Sequence, residues 1–354
     1  MANHNSILEV TTKNLQYNYK KLSRLANKSI CAATIKSDAY GIGVLNVFDA
    51  LYKVNCRHFF VATTQEAIEL RKERSAGNIY VLNGLESNNI SVFSKYKIIP
   101  ILNDIDEYNY VSKNIKKYKN LKFGLHVDTG INRLGINFKE FLGLKFKNNI
   151  HILISHLASS DESKNYYNTI QNTKFRKAID LQLNAKIKSL SNSFALILGK
   201  NFHFDLVRPG ISLYGGHQNT KMKKIIKPVI TLKAKILQIK EIGKNEYIGY
   251  NQTYKTAKKI KVAVIGIGYG DGVSRLLSSK GKVFYKKNSY KILGRVSMDT
   301  ITIDITKNNH HLRVGKYIEI LNHTFGIDSL AQQCNTIPHE ILTSITKRVK
   351  RVYI

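Results

Sequence analysis

A (β/α)8 TIM-type barrel followed by a mainly β C-terminal domain is the fold this 354-residue sequence predicts. Three observations lead there. Over the first two thirds, eight short apolar runs alternate with stretches of helical spacing, the rhythm of barrel strands each followed by a helix. After about residue 225 the rhythm changes to apolar residues at every second position, as in strands with one face buried. Only four prolines occur and no Pro/Ser-rich linker separates the halves, so two closely packed units are expected, 1–225 and 226–354.

The eight runs are ICAATI (30–35), HFFVAT (58–63), IYVL (79–82), IIPIL (98–102), LKFGLHV (121–127), HILISH (151–156), AKIKSL (185–190) and FHFDLV (202–207). Helical spacing is clearest in QEAIELRKE (65–73) and YNTIQNTKFRKAIDLQL (167–183). An open doubly wound sheet is the competing architecture; it differs in strand order, which sequence does not display. In the second part, VITLKAKILQIKEI (229–242), KIKVAVIGIGYG (259–270), YKILGRVSMDTITIDI (290–305) and YIEIL (317–321) read as strands, with turns at GKNE and KKNS.

Fifty-six Lys+Arg against 24 Asp+Glu give a net charge of +32, a balance that raises nucleic acid or an anionic membrane as partner. The lysines are scattered among Ile, Asn and Tyr, all with AT-rich codons, so composition accounts for them and no specific nucleic acid is expected. Cys31, Cys56 and Cys334 lie far apart without a CxxC pair, which argues against a disulfide framework or structural zinc and fits a reducing compartment. There is no basic-then-apolar leader pattern and no run of 18 apolar residues, so the expectation is a cytoplasmic protein with no membrane contact. His310–His311 reads as loop, and no HExxH pattern suggests a metal.

Chemistry in such a barrel sits at the C-terminal ends of the strands. The first run closes on Lys36, the fifth runs into Asp128 and then Arg133, the sixth ends at His156, the seventh leads to Ser193, and the eighth ends at Arg208 before Pro209 and Gly210. Singly, each has an ordinary reading: a snorkelling lysine, a core histidine, surface arginines, a helix-capping serine. Five strands converging on one rim favour a site. GIGYGDG (266–272) lacks the GK[ST] of a phosphate loop. A lysine able to form an imine, beside cations and a glycine that exposes backbone N–H groups to a phosphate, points to a sugar-phosphate aldolase or to a pyridoxal-phosphate enzyme. These features alone leave both open.

TIKSDAYGIG (34–43), VDTGINRLG (127–135), SHLASSD (155–161), VRPGISLYG (207–215), GYNQTY (249–254), GIGYGDGVSR (266–275) and GRVSMD (294–299) resemble, in order, the motifs of bacterial alanine racemases. The resemblance runs from about residue 30 to 351 across both predicted domains. It implies pyridoxal 5′-phosphate as cofactor, a head-to-tail homodimer with shared active sites, and interconversion of L- and D-alanine to supply D-alanine for peptidoglycan. Lys36 would hold the cofactor and act as base on the D-enantiomer, and Tyr250, from the other subunit, would be the base on the L-enantiomer. His156, backed by Arg208, would adjust Tyr250, and Arg208 would face the pyridine nitrogen, favouring racemisation over decarboxylation. Tyr40, Ser193 and the backbone of Gly210 and Ile211 would bind the phosphate. Arg133 and the Met298 N–H would bind the substrate carboxylate, with Asp299 and Tyr269 at the entrance.

Three positions depart from the family pattern. Asp38 replaces an asparagine and is expected to point away from the ring. His126 replaces a lysine that many members carbamylate to orient the substrate arginine, so Arg133 must be held by a bound anion or by the histidine. Lys347 stands where some members have a phosphate-binding tyrosine. The alternatives are a racemase of broader specificity (serine or basic amino acids), a non-enzymatic pyridoxal-phosphate-binding protein, whose single-domain relatives lack the β domain, and a nucleic-acid-binding protein resting on charge alone.

Overall fold

A computed structural model describes residues 4–86, 89–118, 121–144, 148–181, 185–307 and 312–354. The chain opens with β1 (Ser6–Val10) and a helix at Thr12–Ala26, then enters the barrel through β2 (Ile30–Cys31) and β3 (Ala33–Thr34). Parallel strands β4 (His58–Val61), β5 (Asn78–Val81), β6 (Ile99–Leu102) and β7 (Gly124–Asp128) follow, with a short β8 (Ile136–Asn137) beside β7. They are succeeded by β9 (Ile152–Ile154), β10 (Ile187–Ser189) and β11 (Leu206–Val207). Every one of the eight predicted runs contains a barrel strand.

Pairing runs β10-β9-β7-β6-β5-β4-β3, and β11 pairs β2 through Leu206↔Ile30 and Val207↔Cys31. The remaining seam, β10 to β11, is closed by Asp205 N–H to Lys188 O (3.0 Å) and Arg208 N–H to Ser191 O (2.8 Å). Closure disposes of the open doubly wound alternative. Inside the barrel, Ala32, Phe60, Tyr80, Ile99, Ile101, Ile152, Ile154 and Leu206 form one cluster, while alternate residues such as Ala33, Phe59, Val61, Ile79 and Val81 pack outward in the main core. That two-sided burial is why the strands read as continuous apolar runs. The helix Thr64–Glu73 starts with a capping box: Glu66 N–H donates to Thr63 Oγ1 (3.2 Å) and Thr63 N–H to Glu66 Oε2 (3.3 Å).

The second unit is built on β12 (Ile230–Ile242), followed by a hairpin of β13 (Tyr247–Ile248) and β14 (Tyr254–Lys255). Then come β15 (Ile260–Ile265), β16 (Lys282–Tyr285), β17 (Asn288–Leu293), β18 (Ile301–Asp304), β19 (Tyr317–Leu321) and β20 (Lys350–Tyr353). The order β15-β18-β17-β16-β19-β12 closes on itself because the long β12 also pairs β15, giving an antiparallel barrel.

The structure differs from the expected organisation in three places. Residues 1–225 do not all belong to the first barrel: β1 pairs antiparallel with β12 (Ser6↔Ala234) and parallel with β20 (Ile7↔Lys350). Its alternating pattern, with Leu8 and Val10 fully buried, supplies one face to the β domain's core. The run 290–305 is two strands, not one. It breaks at Gly294, whose φ of +68° suits glycine and where a Cβ would lie 2.6 Å from Ile248 O. Likewise the run 259–270 is strand only as far as Ile265. His310–His311 lies outside the described residues. Among the described residues no helix is long and apolar enough to cross a membrane, and no group of three or more His, Cys, Asp or Glu is placed to hold a metal. Cys31, Cys56 and Cys334 are free and buried.

Candidate active site

β3 ends one residue short of Ile35, and Lys36 follows at the C-terminal mouth of the barrel. Behind it the backbone does something unusual for L-residues: Ser37, Asp38, Ala39 and Tyr40 all adopt left-handed conformations, with φ between 52° and 58°. Such residues cost about 1–2 kcal/mol each, so the surroundings must impose the turn. Glu66 Oε1 takes the Ser37 N–H (2.6 Å) and Asp38 Oδ1 takes the Val44 N–H (2.7 Å). Asp38 thus turns to the start of the helix Val44–Tyr52. From the β domain, Tyr353 Oη donates to Ile42 O (2.8 Å).

The turn lays the buried Tyr40 ring on Tyr214, centroids 4.7 Å apart, and aims its hydroxyl at Gly210. A Cβ at Gly210 would sit 2.3 Å from Tyr40 Oη, so only glycine allows this approach. On the other side, Ser193 Oγ accepts from Gly210 N–H (2.9 Å) and Ser212 N–H (3.3 Å), which leaves its own hydrogen free to donate. Two hydroxyls and the start of the short helix Ile211–Tyr214 therefore line one end of a cavity of about 700 Å³. Lys36, His126, Arg133, His156 and Arg208 line the rest.

The charged groups that line this cavity are mostly cationic. Burial, and then the Arg133 charge, push the Lys36 ammonium below its ordinary range, against a smaller opposing pull from Glu66. A lysine so placed spends more time as the free amine, the form that adds to a carbonyl or accepts a proton. Arg208 is buried, its guanidinium donating to Ser189 O (2.8 Å), to Ser189 Oγ and to Ser155 O. His156 is held well below the usual histidine range by burial and the Arg208 charge, and so is neutral. His126, in the middle of β7, is lowered to about 3 by burial, Arg208 and Arg133.

Lys36, Tyr40, Arg133, His156, Ser193, Arg208, Gly210 and Ile211, expected together from sequence, do share this cavity. Tyr250, Tyr269, Met298 and Asp299 do not line it; they lie on the β domain. Tyr250 follows β13 at the hairpin and is 69% exposed. Tyr269 N–H donates to Ser297 O (3.0 Å), Gly270 N–H to Met298 O (2.9 Å), and Arg348 pairs with Asp299 (2.7 Å), which makes one surface patch of the other three. Lys347 faces a separate hollow with Asp38, Glu66, Glu69 and Glu73, away from the Tyr40–Ser193 end. Sequence reasoning missed His339, whose ring lies 5.8 Å from Tyr40 at the cavity wall, and Asn103, which holds His126. PHEIL reads as an ordinary helix start and LND as a loop, so neither carried a signal.

The residues fit a phosphate-bearing aldehyde: two hydroxyls and the start of the Ile211–Tyr214 helix at one end, the Lys36 amine in the same cavity, and the buried Arg208 and the exposed Arg133 on its walls. Such a mouth on a (β/α)8 barrel, joined to a closed β domain, defines an enzyme class that handles a phosphorylated carbonyl compound through a rim lysine. Family models for the alanine racemase N-terminal domain and C-terminal domain match residues 10–218 and 229–353. The chain belongs to the alanine racemase family. It is 36% identical over 370 residues to an alanine racemase of Brucella abortus, covering 98% of this chain and 93% of that one. With the alanine racemase of Rickettsia canadensis it shares 37% identity over 356 residues, 98% of each chain. Among solved structures, the alanine racemase of Bartonella henselae with covalently bound pyridoxal phosphate superposes with a TM-score of 0.93 at 33% identity, over 99% of each chain. That of Acinetobacter baumannii superposes at 0.90 and 28% identity, over 99% of this chain and 100% of that one.

Proposed function

We propose that this protein is an alanine racemase that carries pyridoxal 5′-phosphate on Lys36 and works as a homodimer in the cytoplasm, supplying D-alanine for peptidoglycan. The observation that carries the reading is the placement of a desolvated Lys36 amine in one cavity with the Tyr40–Ser193–Gly210 cradle. The Bartonella henselae relative, with pyridoxal phosphate covalently bound, supports the choice of cofactor over an aldolase substrate.

Pyridoxal phosphate supplies, when bound, the electron sink that acidifies the alanine Cα–H. Everything else falls to the protein. Lys36 Nζ, with its ammonium disfavoured by burial, takes the proton from, or returns it to, one face of Cα. The opposite face needs a second acid–base group, and Tyr250 of the partner subunit fills that role; its exposure on the hairpin, together with that of Tyr269 and Met298, supports a shared site. Tyr40, Ser193 and the backbone at Gly210 and Ile211 would hold the phosphate, the Gly210 N–H acting through Ser193 Oγ, to which it donates. Arg208, fixed by Ser189 and Ser155, keeps its proton and would donate to the ring nitrogen. Neutral His156 orients Tyr250 without competing for the substrate's charge. Arg133 and the Met298 N–H bind the carboxylate, and Asp299 and Tyr269 border the entrance, which keeps the side-chain pocket small.

The test is to add L-alanine to the purified holoprotein and follow D-alanine, alongside a panel including serine and lysine. Turnover fastest on alanine is expected. No turnover overturns the function, and faster lysine or serine turnover overturns the substrate. Loss of the visible absorption of the lysine-bound cofactor after borohydride, and its absence in Lys36→Ala, checks the attachment.

A further inference from the structure

The cavity holds an unused acceptor and an unused donor. His126 is 6% exposed in the middle of β7, and its Nδ1 lies 3.0 Å from Asn103 Oδ1. The Asn103 amide is not free to turn over: its Nδ2 donates to Leu82 O (2.9 Å) and Ile101 O (3.1 Å). Oδ1 must therefore face His126 as an acceptor, and the imidazole must carry its hydrogen on Nδ1. That leaves Nε2 as a bare lone pair, and it is buried with no hydrogen-bond partner. A buried polar atom left unpaired calls for a reason. Gly135, with φ +113°, lets the 133–135 turn cross close over the ring; a Cβ there would lie 3.0 Å from His126 Cγ and Cδ2.

Two arginines feel this ring. Arg208 is committed to Ser189 and Ser155, and its buried guanidinium makes no bond to His126. Arg133 is exposed, lines the same cavity as His126, and has no hydrogen-bond or ion-pair partner among the described residues. We propose that His126 is a positioning residue: its Nε2 accepts a hydrogen bond from the Arg133 guanidinium when a substrate carboxylate binds, so that Asn103, His126 and Arg133 form a relay that fixes the carboxylate clamp. The inference rests on the assignment of Arg133 to the carboxylate in the proposed function. Because the imidazole is neutral, the relay orients Arg133 without neutralising it, and the full cationic charge remains for the substrate.

Asparagine and glutamine separate the two ring nitrogens. His126→Asn keeps a donor for Asn103 and loses the Nε2 acceptor; His126→Gln keeps an acceptor at the Nε2 position. In holoenzyme, His126→Asn is expected to raise the KM for alanine about tenfold or more, with a smaller change in kcat and unchanged cofactor absorption. His126→Gln is expected to restore most of the loss. In an Arg133→Lys background, His126→Asn is expected to add little, because the partner is already gone. Acetate, a carboxylate that does not react, gives a second readout: its binding, followed through the cofactor absorption, should weaken in parallel with alanine. Nitrogen-15 NMR of histidine-labelled holoenzyme should show His126 with hydrogen on Nδ1 only. Wild-type acetate affinity in His126→Asn, full additivity with Arg133→Lys, or hydrogen on Nε2 would each overturn the relay. A wild-type protein that binds acetate but does not turn over alanine would instead overturn the function.

Discussion

Arg351 donates to the carbonyl oxygen of Gly41 through both Nε, at 3.1 Å, and Nη2, at 2.7 Å. The same guanidinium reaches Ile345 O and Val349 O, each at 2.7 Å. A side chain of β20 thereby ties the closed β domain to the left-handed turn behind Lys36. Arg351→Met should cost about 2–3 kcal/mol in denaturant unfolding, since several charge-assisted bonds to backbone are lost together. It should also weaken cofactor retention, because the turn that aims Tyr40 loses its outer clamp. Unchanged stability and cofactor affinity would show that Glu66 and Asp38 hold the turn unaided.

The proposed sharing of sites between two subunits has a signature in mixed variants. Lys36→Ala and Tyr250→Phe should each lower turnover by about 10²–10⁴-fold. Refolded together, half the dimers carry one site with both defects and one intact site, so about a quarter of wild-type activity should return. If mixing restores nothing, Tyr250 works within its own chain or not at all.

Acid should destabilise the fold early. His126 titrates near 3 and His151 near 4 in the folded chain, and His156 lies well below its usual value of 6.5, burial being the main cause in all three. Between these values and 6.5 the unfolded chain takes up protons that the folded chain refuses, so stability falls as pH drops through that window. Each such proton contributes a slope of about 1.4 kcal/mol per pH unit. His126→Asn should flatten the unfolding free energy against pH by about one proton between pH 6 and 4. An unaltered slope would mean that His126 is protonated in the fold.

Gly210→Ala places a methyl group on the Tyr40 hydroxyl. Titration with pyridoxal phosphate should show affinity reduced about tenfold or more, as one of the two hydroxyls is forced aside. Retained affinity would remove Tyr40 from the phosphate cradle.

Lys347 gives the opposite expectation. It faces the hollow lined by Glu66, Glu69 and Glu73, so Lys347→Ala should leave cofactor affinity within about twofold of wild type. A larger loss would return this lysine to the phosphate.

Much of the site was legible because barrel strands advertise themselves locally. An apolar run that ends in a polar residue places that residue at the mouth, and Lys36, His156 and Arg208 are all legible in this way. Arg133 and Ser193 follow the same strands a few residues on, and the ordered motifs add Tyr40. What could not be read was anything set by distant partners. β1 looks like the start of the first barrel, yet it pairs with Ala234 and Lys350. The left-handed turn at Ser37–Tyr40 has no glycine to announce it, because its stabilising contacts come from Glu66, Arg351 and Tyr353.

The sequence by itself determined the eight-strand rhythm, the change to alternating strands and which polar residues would meet at the rim, because periodicity and run length are properties of neighbouring residues. Only the tertiary structure decided which hydrogen sits on His126, where Lys347 points and which strand completes the β domain. Those outcomes depend on groups tens to hundreds of residues away, such as Leu82 and Ile101 fixing the Asn103 amide, and a chain read in order does not reveal which carbonyls folding will bring within hydrogen-bond reach.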